Sequence, residues 1–174
     1  LVARLRLACD IKVGQISWGA ATFAPFSSAA VAGKLLQLDE DKMRNALGLA
    51  YSQLAGSLQA QLDGTLNLRV QHGLAVEAGV RSAFLAKSGM GGIQNFLEGR
   101  FGLYSSYFLD QWTPERILNN LGKQFEITNV SIKRYPCGRY FHGAIDSVLE
   151  IIRNECLAPE AIRNIRVRWH CDEI

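Results

Sequence analysis

Four cationic or ionisable side chains lie close together around one proline turn. The turn contains Pro136, and the side chains are those of Lys133, Arg134, Arg139 and His142. Loops held between regular elements are where functional sites usually lie, and lysine and arginine bind carboxylates through charge-assisted hydrogen bonds. A helix predicted to start after the turn adds backbone N–H groups that favour anions. The pattern indicates a carboxylate site, and the alternative is a basic turn that is only solvated.

His142 and Asp146 are four residues apart in a segment predicted to be helical, so their side chains share one face. A carboxylate beside an imidazole orients the ring and raises its basicity, as a general acid or base requires. The spacing permits a pair of this kind but is common on helices. The alternative is an ordinary helix contact, because no nucleophile motif accompanies the two residues.

A second polar group is formed by Arg69, Gln71 and His72, near the start of a helix that otherwise consists of small and apolar residues. Arg69 and His72 are three residues apart and share a face, whereas Gln71 points elsewhere. This group either contributes to a site or forms the surface edge of a buried helix.

Composition and motifs exclude several classes of protein. The 174 residues are 48% hydrophobic and carry a formal charge of +3, with no run of like charges, so nothing indicates a nucleic-acid arm or a membrane-surface patch. The four cysteines lack CxxC spacing, and the motifs of nucleotide sites, serine hydrolases and HExxH metal sites are absent. No stretch could span a bilayer or resembles a signal peptide. We expect a soluble, cytoplasmic protein with a small anionic ligand, no metal, no cofactor, and no nucleic-acid or membrane partner.

Helices must position most of these residues. Apolar residues recur every three or four positions over 41–55, where Asp39 is a predicted N-cap and Gly56 a predicted stop. Small residues predict helices over 25–38 and 67–87, and the second should be buried on more than one side. Other helices are predicted after an N-cap at Thr113 and up to Gly122, over 141–154, and near Pro159.

The pattern changes towards the C-terminus. Residues 125–133 have the composition of an extended segment, and residues 165–170 alternate like a half-buried strand. We predict a mainly α fold that is helical over residues 1–128, with strands only near 130–135 and 165–170. Because Leu1 is not an initiator methionine and the last alternating run stops without a partner, we expect an internal piece of a larger protein.

Several segments, taken in order, resemble the MmgE/PrpD family. They are TFAPF at 22–26, AAVAGKLLQLD at 29–39, NALGLAYSQ at 45–53, DGT at 63–65, RVQHGLA at 69–75, LEGRFG at 97–102 and KRYPC at 133–137, followed by Arg139, His142, Ala144, Ile145 and Asp146. Together they cover nearly the whole chain in the order of the family.

The resemblance implies a large all-helical domain, present in part as residues 1–128, followed by the start of a smaller α+β lid at 129–174. The active site would lie between the two, and a homodimer is the usual assembly. The implied activity is that of a dehydratase-like lyase, which acts on a small di- or tricarboxylate such as 2-methylcitrate by proton transfer without a metal. An epimerase or decarboxylase with the same pocket, or an inactive truncated or diverged member, remains the alternative.

The resemblance also implies roles for individual residues. Lys133 matches a family lysine at the lid entrance and His142 matches a histidine of the following helix, so both are expected to be catalytic. Arg69, Arg139 and His72 are expected to bind the substrate. Arg69 is the basic residue nearest to the position of the family's active-site lysine. We predict that Lys133, Arg139 and His142 converge on a cleft that faces the start of the third helix, near Arg69.

Three positions depart from the family pattern. Trp18 occupies the place of a family histidine, and Leu68 replaces the active-site lysine. Gly138 stands where some decarboxylating members carry a histidine and others a cysteine. Branches with RxQHG or RxQQG in the third helix are more similar to this chain, which leaves the exact reaction open.

Overall fold

The regular structure of the chain is helical. The computed structural model describes residues 1–11 and 17–168. In chain order the helices are α1 (Val2–Leu7), α2 (Ala24–Leu35), α3 (Glu40–Tyr51), α4 (Gln59–Leu62), α5 (Asn67–Lys87), α6 (Leu103–Phe108), α7 (Glu115–Leu118) and α8 (His142–Asn154). Short 3-10 helices cover Ala20–Phe23, Glu126–Asn129, Arg139–Phe141 and Pro159–Ala161. The predicted mainly α fold is confirmed.

The chain forms two compact units, Leu1–Glu126 and Ile127–Ile174. The first unit contains α1 to α7, and the second contains α8. The predicted assignment of residues 1–128 to a helical domain and of residues 129–174 to the start of an α+β lid stays a prediction.

Helix α3 begins and packs as its sequence predicts. The Asp39 carboxylate accepts a hydrogen bond from the backbone N–H of Lys42 at 2.8 Å and caps the helix. The apolar face of α3 buries Ala46 and Ala50, and Leu54 is buried just beyond the helix. The helix ends at Tyr51, before the predicted stop, and Gly56 adopts a φ of 116° in the segment that follows.

The main core of the first unit is formed by residues of α1, α2, α3 and α6 and of the segments between them, and it includes an aromatic cluster. Its largest members are Phe23, Phe26, Phe96, Tyr104 and Phe108, all of which are buried. Phe23 stacks on Phe108 with ring centroids 5.4 Å apart, and Phe26 stacks on Phe96 at 5.7 Å. Offset aromatic pairs of this kind stabilise a core beyond the area they bury.

Helix α5 has the predicted bounds, but the prediction that it is buried on more than one side is wrong. Its small residues form a single buried face against α2 and α3, which precede it. These residues are Ala75, Ala78, Gly79, Ser82, Ala83 and Ala86. The opposite face is exposed and includes Val70, Val80 and Phe84. Small residues therefore mark one close helix contact rather than complete burial.

The predicted strands do not form among the described residues. Residues 126–129 are a 3-10 helix instead of an extended segment, and residues 130–133 and 165–168 pair with no other described segment. A strand requires a second strand to take up its N–H and C=O groups, and here the backbone N–H of Val130 bonds to the carbonyl of Ile127 within its own turn. Trp169 and His170, the end of the predicted second strand, lie outside the described residues.

Two isolated bridges are the only extended pairings within residues 1–11 and 17–168, and they join Cys9 to Trp112 and Trp18 to Ser57. The start of α7 also differs from prediction, because the Thr113 hydroxyl donates to the Asp10 carboxylate at 2.7 Å rather than capping the helix. Helix α7 ends at Leu118, before the predicted stop at Gly122.

Candidate functional site

The basic turn before α8 presents two cations to solvent. Lys133 and Arg139 are both exposed, and neither side chain forms a hydrogen bond or an ion pair with any residue that the structure describes. A 3-10 helix at Arg139–Phe141 leads directly into α8. Exposed and unpaired cations retain their full capacity to bind a carboxylate.

The predicted pairing of Asp146 with His142 is wrong. Asp146 instead accepts a hydrogen bond from the Tyr135 hydroxyl at 2.6 Å and one from the Arg134 guanidinium at 2.9 Å, both at Oδ1. The spacing on the helix is as predicted, but the turn places a hydroxyl and a guanidinium closer to the carboxylate than the imidazole. The hydrogen bond to Asp146 raises the pKa of Tyr135, since it is made by the protonated hydroxyl.

His142 lies at the first position of α8 and contacts Tyr135. The two rings meet edge to face, with centroids 5.2 Å apart and an angle of 87° between the ring planes. The Nε2 atom of His142 is shielded from solvent and has no hydrogen-bond partner within the described part of the chain. A shielded ring nitrogen without a partner is unusual in a folded protein, so this atom is the strongest candidate for a proton-transfer group.

Gly138 is crowded by the ring of Tyr140. A Cβ atom built at position 138 would lie 2.7 Å from Cζ and 3.0 Å from the hydroxyl oxygen of Tyr140. A histidine or cysteine at this position would therefore require the Tyr140 ring to move. The Tyr140 ring is itself exposed and can move, so this crowding does not explain the departure from the family pattern at Gly138.

The second predicted group lies at the start of α5, in the first unit. Arg69 and His72 are both exposed. The Nδ1 atom of His72 is 2.6 Å from the carbonyl oxygen of Leu68, and since a carbonyl only accepts, Nδ1 carries the proton in this contact. Gln71 donates to the carbonyl of Ser57 at 3.4 Å. The predicted cleft between this group and the basic turn stays a prediction.

Neither of two surface cavities coincides with the predicted site residues. A cavity of about 630 Å³ in the second unit is lined by the apolar face of α8, by Leu157 and Ile162, and by residues 164–168. A cavity of about 290 Å³ in the first unit includes Gln71 and Arg81. The predicted residues His142, Arg69 and His72 line neither one.

The other two departures from the family pattern are at Trp18 and Leu68. Packing accounts for Trp18, whereas Leu68 leaves its position without a cation. Trp18 packs against Tyr107 with ring centroids 4.8 Å apart and makes the bridge to Ser57, so it helps to close the first unit. Leu68 is half-buried at the start of α5 and has no group that could bind an anion.

Metal-binding and membrane-spanning features do not occur over residues 1–11 and 17–168. No group of three or more His, Cys, Asp and Glu residues in these ranges could hold a metal ion. No helix there is both long and apolar enough to cross a membrane.

Tyr135 was not singled out by sequence reasoning. Its hydroxyl contacts Asp146 and its ring contacts His142. Tyr135 lies in the turn before α8 and not in the helix, so the path of the turn brings the three together. The signal for Tyr135 that the sequence offers is its place beside the predicted basic turn.

Comparison with known families and proteins gives one consistent result. Residues 3–115 match the sequence model of the MmgE/PrpD N-terminal domain. The cis-aconitate decarboxylase-like protein oryM of Aspergillus oryzae is 32% identical over 152 residues, which cover 83% of this chain and 31% of that protein. A cis-aconitate decarboxylase of Aspergillus terreus is 32% identical over 156 residues, which cover 85% of this chain and 31% of that enzyme.

A more distant relative extends the same result to animals. The cis-aconitate decarboxylase of Homo sapiens is 28% identical over 137 residues, which cover 78% of this chain and 27% of that enzyme. The chain thus spans about a third of the length of the curated relatives it matches.

Proposed function

The chain belongs to the MmgE/PrpD family, and from this premise we propose that it is part of a lyase acting on a small di- or tricarboxylate by proton transfer. The observation that supports the proposal best is the basic turn. Lys133 and Arg139 present unpaired cations next to α8, and the shielded Nε2 of His142 begins that helix.

In this proposal the residues of the turn have separate roles. Lys133 and Arg139 hold carboxylates of the substrate through charge-assisted hydrogen bonds. The imidazole of His142 gives or takes the proton at the carbon next to a carboxylate, as histidine side chains commonly do in general acid–base catalysis. Arg69 and His72 in the first unit are proposed to bind a further carboxylate.

Two reactions are compatible with these roles. Loss of CO2 breaks a carbon–carbon bond and leaves its electron pair on the adjoining carbon, where His142 in its protonated form supplies the proton. Loss of water requires His142 in its neutral form to take a proton next to a carboxylate, while the hydroxyl leaves and is protonated to water. Both need cations that stabilise the negative charge developing beside the carboxylate.

The choice between the two rests on the relatives. The family resemblance implies a dehydratase for an acid such as 2-methylcitrate, whereas the relatives named above are a cis-aconitate decarboxylase-like protein and cis-aconitate decarboxylases. We therefore place decarboxylation of a tricarboxylate first and dehydration second. The homodimer expected from the resemblance is part of the proposal, and light scattering of the purified chain tests it.

Calorimetric titration of the chain with cis-aconitate and with 2-methylcitrate tests the proposed site. Removing the Lys133 ammonium in Lys133→Ala should weaken binding by roughly 1.5 to 3 kcal/mol, as expected for a hydrogen bond to a charged group. Lys123→Ala is the matched control, because Lys123 is an exposed lysine outside the turn. Its affinity should equal that of the unmodified chain.

The outcomes separate the alternatives. Equal affinities of Lys133→Ala and the unmodified chain would show that Lys133 is only a solvated turn residue. Binding of neither acid would contradict the proposal for this chain. Where turnover is measured, release of CO2 from cis-aconitate distinguishes decarboxylation from the loss of water from 2-methylcitrate.

A further inference from the structure

Tyr135 stands between the two α8 residues that sequence spacing had paired. Its hydroxyl donates to Asp146 Oδ1 at 2.6 Å, and its ring meets the His142 imidazole edge to face at 5.2 Å. His142 and Asp146 are one helical turn apart, so the tyrosine spans that turn from outside the helix. We propose that Tyr135, anchored by Asp146, is a positioning residue that fixes the orientation of the His142 imidazole.

The anchor is built from three contacts among the side chains of Tyr135, Asp146 and Arg134. The Arg134 guanidinium donates to the same Asp146 oxygen at 2.9 Å and lies over the Tyr135 ring at 5.7 Å from its centroid. Hydrogen bonds to an ionised carboxylate are stronger than those between neutral groups. The tyrosine is thus held at its hydroxyl by a charge-assisted bond and at its ring face by a cation.

A fixed tyrosine restricts the imidazole in a specific way. No hydrogen bond from Nε2 to a described residue fixes the rotation of the His142 ring about its Cβ–Cγ bond. The edge-to-face contact with Tyr135 packs against this ring and would restrict its rotation. Since proton transfer depends on the direction of the ring nitrogen, loosening the tyrosine should disturb the histidine without touching it.

The inference rests on the proposed function for its catalytic meaning, but its geometry is tested without substrate. The full chain is labelled with 13C and 15N histidine, and the ring resonances of His142 are assigned by their loss in His142→Gln. Tyr135→Phe keeps the ring and removes the hydroxyl. Asp146→Leu removes the acceptor, whereas Asp146→Asn keeps an oxygen that accepts from Tyr135.

Tyr135→Phe and Asp146→Leu are expected to shift the His142 ring resonances and to leave those of His72 in place. Asp146→Asn is expected to leave the His142 resonances close to their original position. Tyr107→Phe is the matched control, since it removes a tyrosine hydroxyl that donates to the Leu54 carbonyl in the first unit. It should not move the His142 resonances.

Two results would overturn the inference. One is a set of His142 resonances unchanged in Tyr135→Phe and Asp146→Leu while backbone spectra show that α8 remains folded. The other is an Asp146→Asn spectrum shifted as far as that of Asp146→Leu, which would assign the effect to charge rather than to the bond from Tyr135.

Turnover adds a readout that a merely structural contact would not give. Tyr135→Phe should lower kcat by roughly 10- to 100-fold with KM little changed, as expected for a misdirected proton-transfer group. An unchanged kcat would overturn the positioning role. A lack of carboxylate binding in the calorimetric titration would contradict the proposed function alone, because the histidine resonances report the contact whether or not substrate binds.

Discussion

The buried guanidinium of Arg4 donates hydrogen bonds to main-chain carbonyl groups rather than to a carboxylate. It is 7% exposed and donates to the carbonyl oxygens of Ile117 at 3.0 Å, Asn119 at 2.7 Å and Gln124 at 2.6 Å. Its planar fork of donors suits several acceptors at once, which a lysine ammonium matches less well. Through this side chain, α1 holds the end of α7 and the turns that follow it.

Arg4→Lys should therefore destabilise the first unit. We expect a loss of about 1 to 3 kcal/mol in the free energy of unfolding, because partly buried hydrogen bonds to these carbonyl groups lose their donors. Urea denaturation measures the change. Arg44→Lys is the control, since Arg44 is exposed and pairs with Glu40 on its own helix, and it should stay within about 0.5 kcal/mol. Equal effects of the two substitutions would contradict the role of Arg4.

The residue types of the candidate site could be proposed from the sequence, but the contacts between their side chains could not. Lys133 and Arg139 could be proposed because clustered cations around a turn favour anions whatever their exact geometry. The partner of Asp146 could not, because helical spacing brings His142 within reach while the path of the turn brings Tyr135 closer. Contacts between a helix and an irregular segment have no sequence period.

At the scale of elements, α5 contains two glycines in opposite environments. A Cβ at Gly79 would overlap the Pro25 carbonyl and the Ser28 hydroxyl, and would lie 2.8 Å from the Ala29 nitrogen, so α2 and α5 can touch only because this position is glycine. A Cβ at Gly73 would meet no atom within 4 Å. Gly79 therefore shows the role of glycine in close packing, and Gly73 shows only the conformational free-energy cost of glycine within a helix.

Alanine at each glycine should consequently have opposite effects. Gly79→Ala should destabilise the chain by roughly 1 to 3 kcal/mol through overpacking. Gly73→Ala should stabilise it by roughly 0.5 to 1 kcal/mol, because alanine has the higher helix propensity. Thermal or urea denaturation of both variants gives the comparison. A stabilising Gly79→Ala would show that α2 and α5 are not in close contact.

The N-cap of α3 makes the stability of this helix depend on pH. The hydrogen bond from the Lys42 backbone N–H lowers the pKa of Asp39 below its ordinary value. A carboxyl group whose pKa is lower in the folded state stabilises the fold fully above its unfolded pKa, and this stabilisation is lost as the pH falls through the folded pKa. The cap should therefore act at neutral pH and fail in acid.

Asp39→Ala should melt at a lower temperature than the unmodified chain at pH 7. The difference should shrink as the pH is lowered through the titration of the Asp39 carboxyl group, and thermal denaturation over a pH series measures it. Asp41→Ala is the control, because Asp41 lies in the same first turn without accepting the capping bond. A difference that is constant with pH would contradict the role of the carboxylate.

The helices could be predicted because the signals that begin and end a helix are local in the sequence. The strands could not be predicted because strand formation depends on residues elsewhere in the chain. The cap at Asp39 and the bounds of α5 follow from residues within one or two turns. Val130, Ile132 and Val167 have strand-forming side chains, yet they are exposed and unpaired among the described residues. A strand depends on a partner elsewhere in the protein, which an alternating pattern by itself does not supply.

At the scale of the whole molecule, the two units differ in how much they bury. The first unit has a core that includes Phe26, Tyr104 and Phe108, each almost fully buried. In the second unit, none of the described residues from 127 to 168 is buried. Apolar side chains such as Ile132 and Ile151 are instead exposed. Since apolar burial is the main source of folding stability, the second unit should open far more readily than the first.

Hydrogen exchange of the 174-residue chain tests this difference. Helices α3 and α8 are matched in length, with 12 and 13 residues, and both form internal backbone hydrogen bonds. The amides of α3 should exchange slowly, because opening them disrupts its packing against α2 and α5. Those of α8 should exchange much faster, because little buried area opposes local opening. If α8 exchanged as slowly as α3, a covering surface would have to protect it, and the apolar faces of the second unit would then be buried in solution.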